Sequence, residues 1–253
     1  MAIITLTTDL GLKDYYVSAI KGTIISLLPD ATLVDVSHQV PTYNIQDAAF
    51  VLKNSYPSFP KGSIHVIGVK AEYSLQSPHV VVFANGYYFI SADNGIFSLL
   101  LDNDPEKIIE LQVNASTFPT RDVFAQIACR IAKGESIEQM GKPKIALLER
   151  MPFRATSMAN MIRGTVVYID SYGNVMTNIS QQLFNELGKG REFIIEFARY
   201  EISKMSKAYH DVPEGEILAL FNATGHLEIA MNNDKANSML NLKLNDTITI
   251  RFQ

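Results

Sequence analysis

Short apolar runs of β type take turns with amphipathic helical stretches over the N-terminal part of the chain, and this alternation limits the fold more than any other feature. "AIITLTT" (residues 2–8) reads as a buried strand. "DYYVSAIKGTIISLLP" (14–29) carries apolar residues at helical spacing and stops at Pro29. "TLVDVSH" and "SIHVIGV" repeat the strand and "NIQDAAFVLKNSY" repeats the helix. Such a chain covers both faces of a mostly parallel sheet with helices. "HVVVFA" and "YYFISA" are joined by Asn85-Gly86, a dipeptide suited to a tight hairpin turn, and "RDVFAQIACRIAKG" reads as an amphipathic helix with Gly134 past its end.

The pattern changes after "RMPFRATSMANM". "GTVVYID", "VMTNIS", "FIIEFA", "ILALFN", "HLEIAM" and "TITIRF" are short strands separated by Gly, Asn and Asp, which predicts a compact antiparallel sheet or barrel. The fold class expected is therefore α/β: an N-terminal α/β domain over residues 1–157 and a C-terminal antiparallel β-barrel-like domain over 158–253. The poorly periodic stretch 141–160 reads as the linker.

With 253 residues, 47% of them hydrophobic, the chain can bury a sizeable core. A net charge of −4 supplies no basic field for nucleic acid or an anionic membrane, so a small-molecule partner is expected. The single cysteine, Cys129, excludes an internal disulfide and reads as a buried, inert thiol on the apolar face of its helix. The N-terminus lacks the basic and apolar regions of a signal peptide and no apolar run reaches membrane-spanning length, so a soluble, cytoplasmic protein is expected. Dinucleotide, triphosphate and zincin motifs are missing and the five histidines show no metal spacing, so neither cofactor nor metal is expected.

In parallel α/β sheets the ligand crevice forms at the carboxyl ends of the strands, and "TTDLGLKD" places Asp9 there. A carboxylate in that position can accept two hydrogen bonds from a sugar diol; it can equally cap the helix that follows. "ADNG" (92–95) is explained as a turn signature. In "YIDSYGNVMTNIS", Asp170 closes a strand, Gly173 permits a bend, and Asn174 and Asn178 follow at once. An acid and an amide on one turn suit an ammonium or carboxylate group of a ligand, and Asx-type turn bonding uses the same residues.

"TTDLGLKDYYVSAIKG", "VDVSHQVPTYNIQDAAFVL", "ADNGIFSLL", "STFPTRDVFAQIA", "IDSYGNVMTNI" and "VPEGEILALFNATGHLEIAMN" together resemble, in this order, the S-adenosyl-L-methionine hydroxide adenosyltransferase family, which includes related fluorinases and chlorinases. The resemblance implies an N-terminal α/β domain, a C-terminal barrel-like domain, and a homotrimer binding S-adenosylmethionine between the N-domain of one subunit and the C-domain of its neighbour. In the hydroxide-using members, water attacks C5′ of the ribose and gives adenosine and methionine. Carried over position by position, Asp9 falls on the ribose-diol carboxylate and Tyr43 on an aromatic beside the nucleoside. Asp170 and Asn174 fall on residues holding the amino-acid moiety. Asn222, in "FNATGHLEIA", falls on the adenine side, with Ala223 in place of the more usual serine. Thr120 falls beside the nucleophile pocket.

The sequence departs from the family's hydrolases at the reactive set, an aspartate, an arginine and a histidine. Lys70 stands at the aspartate position, Ser77 at the arginine and Pro119 at the histidine, while Glu72 and Ser74 replace loop glycines. Three readings stay open. One is a binder that keeps S-adenosylmethionine or adenosine without hydrolysing it. Another is an active hydrolase with a rearranged nucleophile pocket around Lys70, Glu72 and Thr120, with Glu72 or His79 as base. The third is a solvated loop in which Lys70 and Glu72 form an exposed pair.

Overall fold

The computed structural model describes residues 2–112, 116–151 and 154–253. The chain divides into two units, Met1–Pro152 and Phe153–Gln253. In the first, the elements run β1 (Ile3–Thr8), α1 (Tyr16–Leu27), β2 (Thr32–Ser37), α2 (Ile45–Lys53), β3 (Ile64–Gly68), β4 (His79–Ala84), β5 (Tyr87–Ala92), α3 (Ile96–Leu100), β6 (Lys107–Leu111), α4 (Ala125–Ala132) and β7 (Gly141–Pro143). They form one seven-stranded sheet in the order β2-β1-β3-β5-β4-β6-β7. Strands β2, β1, β3 and β5 are parallel. Strand β4 opposes them, and β6, antiparallel to β4, returns to the common direction, so the sheet is mixed but mostly parallel.

Side-chain alternation divides the interior in two. Ile64 and Val66 of β3 enter one cluster with Ile20 and Ile24 of α1 and Ile127 and Ala128 of α4. Ile67, next in sequence, enters the other with Ala48 and Leu52 of α2 and Phe97 and Leu100 of α3. The period of two along a doubly covered strand is what makes the run read as continuously apolar. The β4–β5 hairpin turns as its dipeptide predicts, with Asn85 at φ 54° and Gly86 at φ 79°, both left-handed as a type I′ turn requires. Cys129 is buried, and burial pushes its thiol pKa up.

The second unit contains β8 (Thr156–Met158), β9 (Met161–Ile169), β10 (Val175–Ser180), α5 (Gln181–Gly188), β11 (Phe193–Phe197), β12 (Tyr200–Ile202), β13 (Ile217–Phe221), β14 (His226–Met231), α6 (Ala236–Met239) and β15 (Thr247–Phe252). Its sheet is antiparallel throughout, in the order β12-β11-β15-β9-β10-β14-β13 with β8 on β9. The chain just past β12 bridges Met205 to Ala219 of β13, and the Ser206 amide donates to the Ala219 carbonyl at 2.8 Å, which nearly closes the sheet into a barrel. The barrel is filled by Ile162, Val166, Ile195, Ile229, Ile248 and Ile250. Helix α5, capped by the Ser180 hydroxyl, lays Phe184 against Phe193, Phe221 and Phe252.

The stretch 141–160 spans the boundary between the two units and also supplies β7 to the first sheet and β8 to the second, while residues 152–153 within it lie outside the described residues. Both strands have three residues, too short for any periodicity to show.

Candidate functional site

Asp9 follows the last residue of β1, at the carboxyl end of the parallel strands. Its Oδ2 accepts the Tyr43 amide at 2.8 Å, and the amides of Lys70 and of Asp9 itself also hydrogen-bond the carboxyl. Tyr43 presents that amide with φ at 63°, and its ring is exposed. The turn is stitched to the chain after β2 at two further points: Thr8 Oγ1 lies 2.8 Å from His38 Nδ1, and the Gly11 amide donates to the His38 carbonyl at 2.8 Å. His38 Nε2 is in turn 3.0 Å from Asp35. Burial raises the Asp9 pKa; the three amide bonds oppose this and the charge of Glu72 adds to it. The helix-cap alternative for Asp9 is overturned: α1 begins at Tyr16, after Tyr15, and has no side-chain cap.

The loop after β3 reaches the same place. Lys70 is exposed at φ 47°, a left-handed conformation unusual for lysine, and two bonds from the buried Asn94 side chain hold it there: Nδ2 donates to the Val69 carbonyl at 3.1 Å and to the Lys70 carbonyl at 2.9 Å. The "ADNG" turn is therefore also a clamp on this loop. Replacing Asn94 with alanine strips both carbonyls, and chemical denaturation is expected to show a loss of about 2 kcal/mol; an unchanged midpoint would show that water replaces both bonds.

Beyond Lys70, Ser74 and Ser77 pair through their backbones and the Ser77 hydroxyl is buried without a partner among the described residues. His79 does not face outward as a base needs to. It is 1% exposed, its Nε2 meets the Ala71 carbonyl at 2.8 Å, and its ring lies edge-on to Tyr73 and Phe124. Burial lowers its pKa, against the effect of the Ala71 bond. No ion pair joins Lys70 to Glu72 among the described residues, so the exposed-pair reading lacks its contact. Thr120, which follows Pro119 and opens a π turn (Thr120–Phe124), is buried against Gly68, where a Cβ would come within 2.6 Å of its side chain. Gly68 is thus what lets Thr120 sit at the end of β3.

A second polar site lies in the other unit. Asp170 Oδ1 accepts the Tyr172 amide at 3.0 Å and the Asn174 amide at 2.8 Å, and Oδ2 lies 3.2 Å from Asn174 Nδ2. The two predicted residues share one Asx-type turn that also opens onto a crevice of about 780 Å³, lined among others by Asp170, Asn174, Tyr209, Asn232, Asp234 and Lys235. Asn178 faces away, its Oδ1 accepting the Thr165 amide at 2.8 Å. Asn222 is committed internally: its Oδ1 accepts from Thr224 and His226, and its Nδ2 donates to Glu228 at 3.0 Å.

Tyr209 and Glu228 escaped the sequence reading. The Tyr209 hydroxyl donates to Glu228 Oε1 at 2.8 Å, and Glu228 is 1% exposed. "HLEIA" alternates as if Glu228 faced water, but the outer face of β13 and β14 is covered by the chain around Val212, with Leu218, Leu220 and Ala230 beneath it. Apolar residues on both faces of "ILALF" are the signal that this face is covered.

One unit is a mixed α/β sheet with a held carboxylate at its strand ends, and the other is a nearly closed antiparallel barrel with its own acidic turn. The chain belongs to the S-adenosylmethionine (SAM) hydroxide adenosyltransferase family: the family's N-terminal domain model matches residues 4–141 and its C-terminal domain model residues 164–249. It is 30% identical to the (R)-S-adenosyl-L-methionine hydrolase of Methanocaldococcus jannaschii, covering 99% of this chain and 96% of that one. It is also 23% identical to the fluorinase of Nocardia brasiliensis, over 98% and 96% of the two chains. Among solved structures, an uncharacterized conserved protein from Thermotoga maritima superposes with a TM-score of 0.90 at 28% identity, covering 98% of this chain and 99% of that one. No helix among the described residues is long and apolar enough to cross a membrane.

Proposed function

We propose that this protein binds S-adenosylmethionine, with Asp9 accepting from the ribose diol, Tyr43 beside the nucleoside, Asp170 and Asn174 holding the amino-acid group and Asn222 on the adenine side, and that it does not catalyse the family's hydrolysis at the family's rate. The observation that carries this is the contrast between the two carboxylates and the loop. Asp9 and Asp170 are each held by backbone amides, ready to accept from a ligand. The Lys70–Ser77 loop has one carboxylate, Glu72, and among the described residues no backbone amide holds it as Asp9 and Asp170 are held. In the displacement, a water oxygen bonds C5′, the C5′–S pair leaves to the thioether, and a proton must go to a base. Lysine has no carboxylate to take a proton, proline has no side-chain donor or acceptor, and His79 is turned inward. Binding that is equal for ground and transition states adds no rate.

A second reading has one observation in its favour: the charge of Glu72 reaches Asp9, so a carboxylate stands near the ribose carboxylate with Lys70 beside it. There Glu72 takes the proton of the attacking water, Lys70 stabilises the negative charge that grows on its oxygen and Thr120 borders the pocket. Incubation with S-adenosylmethionine, followed by chromatography for adenosine and methionine, separates the two. The binder predicts no product above the uncatalysed rate. Saturable release of both products that falls at least tenfold in Lys70→Ala and Glu72→Gln establishes the second reading instead. The homotrimer with shared sites belongs to the same proposal, and sedimentation as a monomer would contradict that part of it.

A further inference from the structure

The geometry points to Glu228 as a positioning residue for the acidic crevice of the barrel unit, holding Tyr209 at the crevice wall through one oxygen and, through the other, Asn222 at the turn that opens β14. The inference rests on the reading of this crevice as the ligand's amino-acid and adenine side. The two arms arrive from separate segments, Tyr209 from the chain between β12 and β13 and Asn222 from the β13–β14 turn. Tyr209 and Asp170 line the same crevice, and the Tyr209 hydroxyl, its pKa raised by burial and by Glu228, remains a donor. Asn222 has its oxygen fully engaged by the Thr224 and His226 amides and the Thr224 hydroxyl, so its Nδ2 is the group that Glu228 fixes.

Structure alone accounts poorly for a carboxyl here. Glu228 is 1% exposed, both partners are neutral, and no cation is paired with it among the described residues. Burying a carboxyl this way is costly, and an apolar side chain of similar size would serve the barrel as well or better. Neither partner is wholly enclosed, Tyr209 being 43% exposed and Asn222 only partly buried. What Glu228 does supply is orientation, of Tyr209 at the crevice wall and of the Asn222 amide that the proposed function sets on the adenine side, and orientation of ligand-binding groups is a binding term.

The test is calorimetric titration of adenosine and S-adenosylmethionine into the full-length protein, Glu228→Leu and Glu228→Gln, with a thermal melt of each. Leucine removes both arms and is expected to weaken both ligands about tenfold or more while the melting temperature holds or rises. Glutamine can still give an oxygen to Asn222 and an N–H to the Tyr209 oxygen, and is expected to stay within about threefold of wild type. Should Glu228→Leu not fold, Tyr209→Phe cuts one arm by removing only the hydroxyl, with an expected loss of about fivefold. Wild-type affinity in the leucine variant, or a loss that only parallels a fall in melting temperature, overturns the positioning role, as does a glutamine variant no better than leucine. In each of these the wild-type protein still binds; a wild-type protein that binds neither ligand instead overturns the reading of the crevice on which the role depends.

Discussion

Replacing Asp9 with alanine is expected to weaken binding of adenosine and of S-adenosylmethionine alike by about a hundredfold, or ~3 kcal/mol, as two charge-assisted hydrogen bonds are lost. The expectation rests on how the carboxylate is held. It stands where three strand ends meet, fixed by the Tyr43 amide at 2.8 Å and by the Lys70 amide, and its own turn is fixed through Thr8 and Gly11 to His38. A ligand therefore meets an acceptor whose orientation is already set, and little ordering cost offsets the bonds it makes. Because the ribose is common to both ligands, the loss should be the same for each. Free methionine, which has no ribose, should bind Asp9→Ala as it binds wild type. Calorimetry of the three ligands checks this, and equal nucleoside affinity in the variant would leave Asp9 a turn residue.

The other large effect is on acid stability. His65 is fully buried on β3, its Nδ1 2.7 Å from the Thr5 hydroxyl, with Tyr56, Phe59, Tyr87 and Phe89 packed around the ring at 5.0–6.0 Å. Burial lowers its pKa from 6.5 to about 4. The unfolded chain takes up this proton first, so stability rises with pH across that window and is lost as pH falls from 6.5 towards 4. One pKa unit corresponds to about 1.4 kcal/mol, so the full loss is about 3 kcal/mol and roughly 2 kcal/mol of it is gone by pH 5. The buried His79 acts in the same direction. The carboxyls whose pKa values burial raises, Asp9, Asp47 and Glu228, act in the opposite one, since their cost is relieved as they protonate. The double variant Thr5→Val/His65→Leu isolates the histidine: urea denaturation at pH 7 and pH 5 is expected to show about 2 kcal/mol less acid loss than wild type. Equal slopes in the two proteins would mean that His65 does not titrate in this range.

Local chemistry made much of this architecture legible. The Asn85-Gly86 turn, the helix ended by Gly134 and the strand runs of both units each follow from residues within a few positions of one another. What was not legible depends on partners distant in sequence. The "ADNG" turn is readable as a turn, but its asparagine bonds carbonyls 24 and 25 residues earlier. Nothing in a lysine announces the left-handed conformation of Lys70, because the loop is held by that same remote side chain. Glu228 reads as a solvent-facing residue until the chain around Val212 is laid over its strand. His65 reads as an ordinary strand residue, and only the four aromatic rings around it make it an acid-sensitive one. Asp9 was legible as a candidate because the end of a parallel strand marks the crevice whatever the rest of the chain does. Setting the cap aside required knowing where α1 begins.

The central claim, that S-adenosylmethionine is this protein's ligand, is tested most directly by titrating it into the purified protein in a calorimeter. The account predicts saturable binding that Asp9→Ala weakens about a hundredfold. No binding of S-adenosylmethionine or adenosine by the folded wild-type protein would contradict it.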